Sequence, residues 1–199
     1  MKAGRHRTFD KNIALDKAME VFWKNGYSGT SLTDLTAAMN INKPSLYAAF
    51  GNKEELYKST LNRYVQKHGT IHAQHLFADN KSLSKRIQCY LTSIAEMVTA
   101  PNLPGGCFVC ISTCETGGDS LPVGALQAVT EINNITAASL TEFFNIENKN
   151  GNLKSETSPV VMANYILSLQ FGLAVMARNG AKIEELKDVI KISISNFKM

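Results

Sequence analysis

The chain has 199 residues and a formal charge of +4, enough length for one or two domains with a core of useful size. No uninterrupted apolar run approaches the ~18 residues of a membrane span. The basic start, MKAGRHRTFDKN, lacks the apolar stretch of a secretory signal, so a cytoplasmic protein is expected. The charge is unevenly placed: residues 1–68 hold 11 Lys/Arg against 6 Asp/Glu, whereas residues 69–199 hold 10 against 11. A basic excess confined to one end favours a polyanionic partner there, through counterion release on a phosphate backbone.

The pattern is helical from end to end, with no strand pattern, internal repeat or low-complexity tract, so an all-α fold is expected. Residues 10–25 place Ala14, Ala18, Val21 and Phe22 on one face, with Asp10 as cap and Gly26 as stop. Ser31 then precedes a short run in which Leu32, Leu35 and Met39 share a face, and its hydroxyl can take an orphan backbone N–H. Asn40 falls where a left-handed turn residue is required, a conformation that Asn tolerates. Asn42 can cap the next helix, with Lys43 and Pro44 in its first turn, where proline's missing N–H costs nothing. That helix is only about seven residues long and cannot stand alone. A short helix braced by neighbours, opening on a cation and carrying Ser45 and Tyr47, suits insertion into a DNA major groove. The same spacing is also that of an ordinary helical hairpin with a solvated polar face.

Asn52 opens a further helix with Glu54 and Glu55 at its N-terminus, expected to run through Leu61, Tyr64 and Val65 to His75 and to act as a lever between two domains. His68, His72 and His75 share a stripe on it, readable as two imidazoles for a metal or as solvated histidines. Ser82 caps residues 82–99, and Pro101 and Pro104 end them. Gly105 and Gly106 then open a helix from Cys107 to about Thr116, stopped by Gly117 and Gly118. Residues 121–144, 158–178 and 183–197 follow, with a polar loop from Asn148 to Glu156. Residues 159–178 carry no charge before Arg178, so more than one face of that helix must be covered. Either it is the central helix of a monomeric bundle or a second subunit covers it, together with the apolar stripe Ile183, Leu186, Val189, Ile190, Ile194 and Phe197 of residues 183–197.

Cys107, Cys110 and Cys114 share one helical face. With Cys107 in the first turn, the helix dipole would stabilise a thiolate and make it a sensor for oxidants or alkylating agents. The competing readings are small core hydrophobes, part of a metal site with no evident fourth ligand, or a Cys-x-x-Cys redox pair. In a reducing compartment the four cysteines are expected as thiols. No order of Ser, His and Asp, no phosphate-binding glycine loop and no paired carboxylates point to an enzyme. A thiol oxidoreductase is the rival that Cys107 and Cys110 leave open, and neither metal nor cofactor is expected.

Several submotifs occur together in one order: Phe22 ahead of Gly26-Tyr27, Thr30-Ser31-Leu32, Ile41-Asn42-Lys43-Pro44-Ser45-Leu46-Tyr47, Phe50, and Asn52-Lys53-Glu54-Glu55-Leu56. Across about residues 5–60 the chain thereby resembles the N-terminal DNA-binding domain of the TetR family of bacterial transcriptional regulators. It departs at Met39-Asn40, where the family often has Ala-Gly, and at Ala48 and Ala49, where aromatic or His residues are common. The resemblance implies a helix-turn-helix domain over residues 5–60 and a helical sensor and dimerisation domain over 61–199. It implies DNA contacts from Ser31, Thr33, Asn42, Lys43, Pro44, Ser45, Tyr47 and Lys53. It also implies a homodimer joined through the last two helices, and therefore a near-palindromic double-stranded operator, with release by a small-molecule or electrophilic effector. A Gly-Cys at residues 106–107 further resembles members that sense electrophiles or oxidants through a cysteine. A non-covalent ligand with purely structural cysteines is the alternative.

Overall fold

The computed structural model describes residues 9–153 and 158–195. Residues 5–8 of the expected reading domain and Phe197 lie outside them. Among the described residues the fold is all-α: α1 Lys11–Asn25, α2 Leu32–Met39, α3 Lys43–Phe50, α4 Lys53–Tyr64, α5 Leu83–Val98, α6 Phe108–Cys114, α7 Val123–Lys149, α8 Pro159–Arg178 and α9 Ile183–Ser195.

Local chemistry sets most helix starts. Asp10 accepts from the amides of Asn12 and Ile13, Asn42 from Ser45, Asn52 from Glu55 and Ser82 from Lys85. Ser31 does more than the expected single cap. Its hydroxyl takes the Asp34 amide at 3.1 Å while the Asp34 carboxylate takes the Ser31 amide at 2.8 Å, a reciprocal box that satisfies two orphan donors. Asn40 ends α2 in the left-handed region, φ 53° and ψ 43°. Asn40→Gly is expected to leave stability almost unchanged and Asn40→Ala to cost about 1 kcal/mol, read by chemical denaturation.

The long helix expected from Asn52 to His75 is three segments. After α4, Val65–Gly69 winds as a π-helix and Thr70–Phe77 as a 3-10 helix. Gly69 stands at the join with no side chain to stiffen the turn, and β-branched Thr70 and Ile71 follow it. The overwound segment carries His72 and Leu76 into the core. So the segment expected as a lever is jointed, as stretches at hinges often are.

Two apolar clusters form the interior. One gathers Ala14, Phe22, Trp23, Leu35, Leu46, Leu56 and Tyr57 of α1–α4, and extends to Phe108 of α6 and to Leu121, Ala125 and Val129 at the start of α7. The other lies among α5, α7, α8 and α9. Within it Arg86 donates to the Glu147 carboxylate at 2.5 Å and to the Leu76 carbonyl at 2.8 Å, with only 12% and 5% of the two side chains exposed. Glu147 is reached because α7 continues to Lys149, five residues beyond its expected end.

α8 buries Met162, Ala163, Ile166, Leu173 and Ala174 in its own protomer and leaves Val160, Val161 and Val175 exposed. It is long and apolar enough to cross a membrane by length and composition, with a mean hydropathy of 1.7, although Asn164, Ser168 and Gln170 interrupt its apolar run. The α9 stripe expected at a subunit interface instead faces inward: Leu186, Ile190 and Ile194 are buried and Ile183 and Val189 pack against the same core, while Ile192 points out.

Candidate nucleic-acid interface and effector cavity

α3 is held by two anchors, Leu46 with no exposure and Phe50 at 8%. That leaves Lys43, Pro44, Tyr47 and Ala48 outward, with Ser45 half-buried. Thr33 is exposed on α2. Ser31 and Asn42 are exposed too, but their side-chain oxygens are already spent on backbone amides as caps. Lys53 is half-buried: its Nζ donates to the Tyr27 carbonyl at 2.7 Å and sits 4.1 Å from the centre of the Tyr27 ring. Burial lowers its pKa, with nearby Glu115 opposing. Lys11, not singled out from the sequence, stands over the Phe50 ring at the far end of α3. Its signal was its place in the first turn of a capped helix in the basic end.

Two side chains far away in sequence tie this face to the rest of the molecule. Glu115, just after α6, accepts from the Tyr27 amide at 2.9 Å and the Ser28 amide at 3.1 Å. Gly26, φ 73°, permits that approach: a Cβ there would come within 2.8 Å of Glu115 Oε1. Arg178, the last residue of α8, donates to the carbonyls of Trp23 and Lys24 at the end of α1 and to Pro104 and Gly105 in the loop before α6. Neither was legible in the sequence, since nothing local distinguishes a carboxylate or guanidinium that will find a distant backbone. Tyr57 Oη donates to Ser112 Oγ at 2.7 Å, fixing α4 to α6.

Between the jointed end of α4 and helices α5–α8 lies a cavity of about 290 Å³. Cys107 lines it, as do Tyr64, Met97 and His72. Cys107 is the cap residue of α6 and not a member of its first turn, and it is half-buried. The expected low pKa is not found. Burial pushes the Cys107 thiol up, outweighing the Tyr64 hydroxyl, 3.3 Å away, and the amides of Cys110 and Val109 that favour thiolate. Cys110 is buried, its thiol pushed up to about 12 chiefly by burial, while Cys114 is exposed. Of the two glycines before Cys107, Gly105 has nothing within 4 Å of where a Cβ would stand. Gly106, φ 69°, is where α8 comes close, and a Cβ there would stand 3.0 Å from the Ala174 carbonyl. The histidines are not a solvated stripe. His72 is buried with Nδ1 2.7 Å from Ser93 Oγ, and His68 packs edge-on to Trp23. Among the described residues no group of three His, Cys, Asp or Glu side chains could hold a metal ion.

The family model for bacterial regulatory proteins of the tetR family matches residues 14–60. The E. coli K12 HTH-type transcriptional repressor ComR is 33% identical over 187 residues, 94% of this chain and 88% of that protein. The chain belongs to the TetR family. As a TetR-family protein it is a DNA-binding transcription regulator, and its fold carries the N-terminal helix-turn-helix formed by α2 and α3. A cysteine-substituted variant of the TetR regulator CifR, solved with 26-bp double-strand operator DNA, superposes with a TM-score of 0.86 at 30% identity, covering 97% of this chain and 99% of that one. The reduced form of E. coli NemR superposes with a TM-score of 0.77 over 92% of this chain and 93% of that one, at 18% identity, and so shares the fold.

Proposed function

We propose that this chain is a repressor that binds a near-palindromic double-stranded operator as a homodimer in the cytoplasm, and that a small molecule entering the cavity releases it. Residues 5–60 read DNA and residues 61–199 sense and dimerise. The observation that carries the reading is a physical connection. The turn that supports the reading domain is held by Glu115, and Glu115 ends the short helix that Cys107 begins. Whatever displaces α6 from the cavity side must therefore move or strip the α1–α2 turn. ComR is named as a repressor and the CifR variant was solved on operator DNA, in keeping with this reading.

On DNA, Lys43, Pro44 and Ser45 face base edges and the Tyr47 hydroxyl contacts phosphate. Lys53 reaches phosphate after leaving the Tyr27 carbonyl. Ser31 and Thr33 lie beside the backbone at the start of α2, and Asn42 acts by shaping the start of α3. Tyr47 is 48% exposed, so Tyr47→Phe should keep the melting temperature while operator affinity falls by roughly 1 kcal/mol, the worth of one hydrogen bond. Unchanged affinity in a fluorescence-anisotropy titration would remove Tyr47 from the contact set.

Electrophilic effectors react at Cys107. With N-ethylmaleimide, the thiolate sulfur forms a bond to one alkene carbon, the alkene π bond breaks, and the other carbon takes a proton from solvent. Since burial holds the thiol above its ordinary pKa, little thiolate exists at pH 7, and the reaction rate should climb about tenfold per pH unit through the neutral range. The decisive experiment is binding to the protein's own upstream intergenic DNA with and without N-ethylmaleimide. Wild type and Cys89→Ser should be released and Cys107→Ser should stay bound. Equal release of Cys107→Ser would overturn the covalent role and favour the second reading, a non-covalent ligand with structural cysteines, for which the raised thiol pKa already speaks.

A further inference from the structure

The wall of the cavity has a definite chemical character. Among the described residues no Asp, Glu, Lys or Arg side chain lines it, and Leu76, Ile94, Ile132, Leu140 and Phe143 make most of its surface apolar. Its size, about 290 Å³, lies at the small end of the range for ligand sites. A charged ligand would enter without a counter-charge, which an apolar, partly closed site penalises heavily.

Most polar groups on the wall are already paired. Tyr64 Oη donates to Cys107 Sγ at 3.3 Å, Gln170 Nε2 to Tyr90 Oη at 2.7 Å, and Asn133 Nδ2 to Thr113 Oγ1 at 2.9 Å. Among the buried side chains of the wall His72 stands apart. The residue is 3% exposed, one ring nitrogen meets Ser93, and the other, Nε2, is buried without a hydrogen-bond partner. A buried polar atom left so costs free energy comparable to a lost hydrogen bond, and it calls for an explanation such as a ligand. Burial lowers the ring's pKa to about 4, so it is neutral near pH 7 and Nε2 carries either a proton or a lone pair. The Ser93 hydroxyl can donate or accept, so it is compatible with both tautomers. A ligand hydroxyl answers either form. A carbonyl answers one, and a carboxylate brings a charge that the wall cannot balance.

We propose that the cavity takes a small, uncharged, mainly apolar alcohol or phenol whose hydroxyl pairs with His72 Nε2. This rests on the cavity being the effector site and is independent of any covalent role for Cys107. The test uses the full-length protein, wild type and Cys107→Ser, titrated with 1-naphthol, naphthalene and 1-naphthoate by calorimetry and thermal shift. Both proteins should bind 1-naphthol roughly five- to tenfold more tightly than naphthalene, the effect of one net hydrogen bond. They should bind 1-naphthoate at least tenfold more weakly than 1-naphthol. His72→Leu should erase the difference between 1-naphthol and naphthalene. If that variant does not fold, the order of the three ligands on wild type still decides. Equal affinity for 1-naphthol and naphthalene, preference for 1-naphthoate, or no binding of any of them would overturn the proposal. Operator release followed in the same titrations separates the two ideas: 1-naphthol bound at His72 with operator retained upholds the site and overturns the cavity as the releasing switch.

Discussion

The double variant Val161→Glu/Val175→Glu should be a folded monomer with its operator affinity reduced by roughly a thousandfold. The two valines are 61% and 54% exposed on the outer face of α8, so in an isolated protomer the carboxylates remain hydrated and cost little. In a twofold dimer each substitution occurs twice, and a partner covering that face would bury unpaired charge at several kcal/mol. A lone protomer keeps one reading helix, and its affinity should fall from the specific range toward the non-specific one. Sedimentation, circular dichroism and an anisotropy titration read the three parts. A variant that sediments as wild type, or a wild type that is monomeric while bound to operator, would refute the arrangement.

The second large effect concerns stability alone. Glu147→Ala should cost about 3–5 kcal/mol, because it removes the partner of a buried guanidinium, and the melting temperature should fall by roughly 6–20 °C for a chain of this size. Glu147 also accepts from Asn152 Nδ2 at 2.8 Å, and Arg86 Nε has no partner of its own, so no spare acceptor stands ready. Arg86→Met/Glu147→Leu should recover most of the loss, since removing both charges removes the desolvation problem with them. A loss under 1 kcal/mol in Glu147→Ala would mean that water reaches the guanidinium. The Phe143 ring, which lines the cavity, has Arg86 5.6 Å from its centre. Ligand affinity in the double variant would therefore report whether the pair shapes the cavity as well.

What could be read from the chain was what depends on a few adjacent residues. Asp10, Ser31, Asn42, Asn52 and Ser82 were each legible as caps, because the capping bond reaches only two or three residues ahead. The reading helix was legible for the same reason, and its family wording made its purpose legible with it. Periodicity failed where phase mattered. It showed that α8 had to be covered on more than one side, but not which side. Leu173, 1% exposed, faces its own core, while Val161 and Val175 stand outward. The joint at Val65–Gly69 was marked only by Gly69 and the β-branched Thr70 and Ile71, and apolar residues at helical spacing on both sides of it hid that signal. At Cys107 an error of one position mattered most. A cap residue already beside Tyr64 and the core loses more by burial than the helix terminus returns. Glu115, Arg178 and the Arg86–Glu147 pair depend on the finished fold, with partners 61 to 155 positions away.

Arg178 has one more implication. It sits where two helices end, its own α8 and, across the contact, α1, and each C-terminus presents a cluster of carbonyl oxygens with partial negative charge. One guanidinium serves as counter-ion to both poles and keeps two like-signed ends together. Drawn apart, Arg178 would stay with α8 and the end of α1 would lose its counter-ion. The contact therefore couples the end of α1 to the helix proposed to join two copies.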